Sequence, residues 1–73
     1  MKIIDSKQIN WTVVCVYEFA KYKAMNPKTA FQFLVYYGGI QFLKEHYEVE
    51  HMLSIDDTIE ALDIICRKNG GHK

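Results

Sequence analysis

The chain has 73 residues, enough for one small domain, and its 49% hydrophobic, 14% aromatic and 25% charged residues mark it as globular, not disordered or fibrous. Nine Lys plus Arg balance nine Asp plus Glu, which argues against a dedicated polyanion binder. No apolar run approaches the roughly 18 residues of a membrane span, and Met1-Lys2-Ile3-Ile4-Asp5 lacks the apolar stretch of a signal peptide, so a cytoplasmic protein without a membrane is expected.

The first helix is predicted over residues 6–24. Ser6 can cap it, with Asp5 also available. Ile9, Val13, Val16, Ala20 and Ala24 recur at spacings of four, three, four and four, one face of a 3.6-residue helix. Val13-Val14-Cys15-Val16 would suit a buried strand, but the flanks keep helical spacing and carry no turn signals. Asn26-Pro27 is the next start, an N-cap followed by a residue whose missing N–H costs nothing in the first turn. The second helix is predicted over 27–37, with Ala30, Phe31, Leu34 and Tyr37 inward and Gly38-Gly39 as its stop. A third, short helix is predicted over 40–47, with Ile40, Leu43 and Tyr47 on one face. Residues 48–53 carry no clear signal. Ser54 and Asp57 form a variant capping box, and Asp56 and Asp57 suit the positive end of a helix dipole. The last helix is predicted over 55–69, with Ile55, Ile59, Leu62 and Cys66 inward, Arg67 and Lys68 in the last turn, and Gly70-Gly71 as the stop. His72 and Lys73 read as a loose tail. The fold class is therefore all-α: one domain over 1–73, a bundle of about four helices, orthogonal rather than regular up-and-down.

Size limits the chemistry. A domain of this length buries only about 60% of its unfolded surface. That leaves few apolar residues for a deep substrate pocket of roughly 300–1,000 Å³. Cys15 and Cys66 read as reduced, buried, small hydrophobes, inert as nucleophiles. No Gly-x-Ser-x-Gly, Walker or Gly-x-Gly-x-x-Gly motif is present, and no enzymatic activity is expected. His46 and Glu50, four apart, would share a helix face and could offer a metal one imidazole and one carboxylate. His51, five from His46, points elsewhere, and neither His-Glu-x-x-His nor Cys-x-x-Cys occurs. The expected reading is a surface His46 and a His51 hydrogen-bonded at a helix junction, with no metal and no cofactor.

Two surfaces stand out. Trp11, Cys15 and Tyr22 give the first helix a second face with apolar character, interrupted by Glu18. It either meets a second neighbour in the domain or binds a partner, where Trp and Tyr are favoured anchors. Tyr36 and Phe42 also fall off the main stripes. The other surface is electrostatic: residues 1–44 carry a net charge of about +4 and residues 45–73 about −4. Asp56, Glu60 and Asp63 fall on one helical face, with Arg67 four residues beyond Asp63. That face is either ordinary solvated surface or a docking face for a basic partner. As a helix-turn-helix, the second and third helices would offer only Gln41 and Lys44 for base reading. Lys2, Lys7, Lys21, Lys23 and Lys28 could touch phosphate weakly.

Tyr37-Gly38-Gly39-Ile40 with Phe42-Leu43, then 45–51 (Glu-His-Tyr-Glu-Val-Glu-His), Ser54-Ile55-Asp56-Asp57 and 64–71 (Ile-Ile-Cys-Arg-Lys-Asn-Gly-Gly) together resemble the domain of unknown function 3791 family, small helical bacterial proteins. The aromatic-rich stretch from Trp11 to Phe19 and the Pro27-Lys28-Thr29-Ala30-Phe31 start fit the same pattern. The family has no assigned catalytic residues. The resemblance points to Tyr47 and His51 as its polar motif. It also implies a protein partner encoded beside this one, similar to ADP-ribosyltransferases, and an antitoxin-like role. The expectation is thus a non-enzymatic protein–protein interaction module, acting on a neighbouring gene product or as a homodimer. Its apolar anchors would be Trp11, Tyr22 and Tyr36, and its acidic face Asp56, Glu60 and Asp63. A weak nucleic-acid-binding domain is the alternative.

Overall fold

The structure, a computed structural model, describes residues 6–71. Asp5, Lys2 and the tail of His72 and Lys73 lie outside the described residues. Five helices and no strand occur among them: α1 (Ser6–Lys23), α2 (Pro27–Tyr36), α3 (Gly39–Glu45), α4 (Tyr47–Glu50) and α5 (Ile55–Lys68). None is long and apolar enough to cross a membrane. α1 packs against α2 and α5, and α3 packs against the same two, so four helices close a ring around one core. The single turn of α4 fills part of the stretch for which the sequence has no clear signal.

Two side-chain caps hold helices where the sequence places them, whereas Ser6, expected as a cap, is the first residue of α1. Asn26 Oδ1 accepts the Thr29 N–H at 2.8 Å ahead of Pro27. Ser54 Oγ accepts the Asp57 N–H at 3.2 Å. Gly38 (φ +85°) and Gly70 (φ +98°) take the left-handed conformation that ends α2 and α5. After α5 the Gly71 N–H reaches Cys66 O at 2.7 Å and the Gly70 N–H reaches Arg67 O at 3.1 Å, the paired bonds of a Schellman turn. Asn69 Nδ2 donates to Tyr37 O at 2.7 Å, tying that turn to the α2–α3 turn.

The core contains Phe19, Leu34, Leu43 and Leu62, with Cys15, Val16, Ala20, Ala30, Ile59 and Cys66 around them. The inner face of α5 is as the sequence reads it, with Thr58 buried beside it. The inner face of α1 is not. Cys15, Val16, Phe19 and Ala20 are buried, whereas Ile9 and Val13 are about half exposed. α1 is apolar on two sides, and the ring of neighbours takes the one centred on Cys15 and Phe19. Ala24 belongs to no helix face: it sits at φ +56° just past the end of α1. In α2, Phe31 faces outward and Phe33 inward. Phe33 lies 6.0 Å from Phe19 and 4.8 Å from Tyr37, ring centre to ring centre. Tyr47 leaves α3 and opens α4.

Candidate functional site

A groove of about 800 Å³ runs between the first half of α1, the start of α2, and α3 with α4. Ile9, Phe31, Ile40 and Val49 supply its apolar lining, and Lys44, Glu45 and Glu48 its charges. The four apolar residues come from four helices, whereas Lys44 to Val49 is one continuous run that overlaps the 45–51 stretch. It is open to solvent, as half-exposed Ile9 and Phe31 show. The length of the chain predicts too few apolar residues for a cavity of this volume. They are present because so many stay outside the core. Among the described residues, twelve large hydrophobic side chains are exposed, against ten residues in the buried apolar core.

Beside the groove stands an aromatic ladder. Trp11 packs edge-on against Tyr47 at 5.3 Å, and Tyr47 stacks on His51 at 4.4 Å. His51 Nδ1 lies 2.6 Å from Tyr47 O, at the end of α4. This is the helix-junction hydrogen bond expected for His51, and it fixes Tyr47 on the groove wall. His46 is exposed and lies against Phe42 at 4.9 Å. Thr58 Oγ1 donates to Glu50 Oε1 at 3.1 Å, anchoring the end of α4 to α5. That engagement draws Glu50 toward α5. Among the described residues no group of three His, Cys, Asp or Glu is placed to hold a metal ion.

The three aromatic anchors named from the sequence have three different surroundings. Trp11 is half-buried against the core and against Tyr47. Tyr22 is exposed over a shallow depression shared with Glu18, Lys21, Asp56 and Ile59. Tyr36, 80% exposed, stands on Tyr37 at the far end of α2, 4.8 Å between ring centres.

The acidic face of α5 is also reshaped. Asp56 and Glu60 are exposed, but Asp63 turns inward. Its Oδ1 lies 2.6 Å from Lys23 Nζ, with the two side chains only 13% and 8% exposed, and its Oδ2 accepts from Arg67 Nε at 3.1 Å. Burial opposes the charge on Asp63, but the Lys23 ammonium and the Arg67 guanidinium outweigh it and hold the carboxyl below the usual carboxylate range. Lys21 likewise shares its depression with Asp56. The contrast between a basic first half and an acidic second half is thus partly neutralised within the fold, where the end of α1 lies along α5.

Both thiols are free and fully buried. Burial, helped by the negative charge of Glu50, pushes Cys15 up to about 12. Burial pushes Cys66 up to about 11, with Asp63 adding to the rise and Lys23 opposing it. At neutral pH both stay protonated, so neither is a nucleophile as it stands.

Residues 10–69 match the model of a family described as protein of unknown function, DUF3791. No curated protein and no solved structure matches the chain.

Proposed function

We propose that this chain, which belongs to the DUF3791 family, is a non-enzymatic protein-interaction module working in the bacterial cytoplasm, with the groove between α1, α2 and α3–α4 as its docking surface. The observation that carries the reading is that Ile9, Phe31 and Val49, large hydrophobic side chains about half or more exposed, come together along that groove. Exposed apolar surface rimmed by charge is the mark of a binding face. The finer form of the proposal is antitoxin-like: the module holds in check a small protein encoded beside it, as the family resemblance implies. Tyr22 and Asp56, which share a depression between α1 and α5, with Glu60 exposed one turn further along α5, are then a second contact for a basic partner.

The test is affinity capture from the native host with the wild-type chain, with Phe31→Glu and with Asp56→Lys/Glu60→Lys, read by mass spectrometry. Phe31 and both acids are exposed, so all variants should fold. One stoichiometric protein lost with Phe31→Glu supports the groove. Equal capture by all three chains sinks both surfaces.

A further inference from the structure

Lys44 and Glu48 both line the groove, with opposite charges and no ion pair between them. Neither takes part in any other ion pair among the described residues. Val49, 63% exposed, rises beside Glu48 on the same rim. Met52 and Leu53 continue the exposed apolar run beyond it. Glu45 and Glu48 line the groove on this side. The α4 side is therefore an apolar ridge with an acidic flank. Across the groove, Ile9, Phe31 and Ile40 form an apolar wall, and Lys44 is the cation on the groove's edge. One molecule thus carries both halves of a complementary pair.

From this juxtaposition we propose that the groove is occupied by a second copy of this chain in a two-fold dimer, the α4 ridge of each copy lying in the groove of the other. A two-fold interface is self-complementary: whatever one residue meets, its counterpart meets in return. Lys44 of each copy then faces Glu48 of the other, giving two ion pairs from one pair of residues. Val49, Met52 and Leu53 leave water against the partner copy's groove wall. The inference rests on the interaction-module reading and names the partner that the groove takes.

The experiment is sedimentation equilibrium of the purified chain with Lys44→Glu, Glu48→Lys and Val49→Asp variants, each checked for helicity by circular dichroism. The wild type should sediment at twice its 8.6 kDa mass. Val49→Asp, a change at an exposed position, should weaken the dimer roughly a hundredfold, since it removes a buried Val from both copies. Lys44→Glu alone and Glu48→Lys alone should each weaken it about tenfold, by turning two attractions into two repulsions. Mixed in equal amounts, these two variants should recover a 1:1 dimer. At one contact the two substituted side chains then meet with opposite charges, and at the other the unsubstituted Lys44 and Glu48 meet as in the wild type. A monomer at every concentration overturns the proposal, and so does a dimer indifferent to all three substitutions. If the chain is monomeric while Phe31→Glu still loses a captured host protein, self-association has failed and the interaction-module reading stands.

Discussion

The two halves of α1 have opposite fates. Its second half is clamped: Phe19 and Ala20 are buried in the core, and Lys23 closes on Asp63 of α5. Its first half is left open: Ile9 and Val13 are about half exposed, and Ile9 lines the groove. Both halves are similarly apolar in sequence. What separates them is the company around them. Beside the second half lie α5 and the inward rings of α2, whereas the first half looks across a gap at α3 and the short α4. The lesson is that this helix commits one half to stability and offers the other as surface. Substitutions along α1 should therefore divide by position, not by residue type.

The largest effect should come from Phe19→Ala. Phe19 has no solvent exposure and stacks toward Phe33. Truncation should cost about 3–5 kcal/mol, comparable with the roughly 3–5 kcal/mol that a single core supplies to a domain near this size. Urea unfolding followed by circular dichroism should show little native chain left. Ile9→Ala, on the same helix, should cost under about 1 kcal/mol, because half of Ile9 is already in water. Equal costs for the two would break the division of α1.

Next in size is the clamp itself. Lys23→Met keeps the aliphatic stem and removes the ammonium, leaving the nearly buried Asp63 with Arg67 alone. The expected cost is about 1–3 kcal/mol at pH 7. Its pH dependence has a definite sign. The folded pKa of Asp63 is depressed, so its stabilisation is present above the unfolded carboxylate value near 4 and is lost as pH falls through the folded pKa. The gap between wild type and Lys23→Met should shrink between pH 7 and pH 3. A gap of the same size at both would mean that Lys23 contributes packing, not charge.

The same contrast explains what the sequence reveals. α5 is legible to within one residue at its end: Ser54 caps it, Ile55, Ile59, Leu62 and Cys66 form its main apolar stripe, and Gly70 follows its last turn. With one main apolar stripe, spacing alone identifies the inner face. α1 has two, and periodicity says which residues share a face without saying which face finds a neighbour. The stripe of Ile9, Val13 and Val16 therefore competes with that of Cys15 and Phe19 on equal terms. The groove is illegible for a related reason: Ile9, Phe31, Ile40 and Val49 come from four helices, and only their packing brings them together. Asp63 illustrates the same limit for charge. Its spacing from Arg67 shows the ion pair within α5, while its bond to Lys23, forty residues away, depends on how α1 lies along α5.

The smallest effect concerns the boundary of the clamped half. After α1 the Met25 N–H reaches Ala20 O at 2.8 Å and the Ala24 N–H reaches Lys21 O at 3.2 Å. This is the bond pattern that ends α5, but the left-handed position is Ala24 at φ +56° where α5 uses Gly70. For an L residue with a Cβ that conformation costs about 1–2 kcal/mol. The sequence carries α1 one residue too far, as it does α2 and α5, whose glycines mark the stop without fixing the last helical residue. Ala24→Gly removes that penalty and adds about 0.4–1 kcal/mol of unfolded-chain entropy to be overcome. The net result should be a gain of a few tenths to about 1 kcal/mol, seen as a higher urea midpoint with an unchanged slope. A loss would mean that the turn after Lys23 is held by its neighbours so firmly that backbone strain at Ala24 contributes nothing. The clamp of Lys23 on Asp63, one residue earlier, would then be what sets the end of α1.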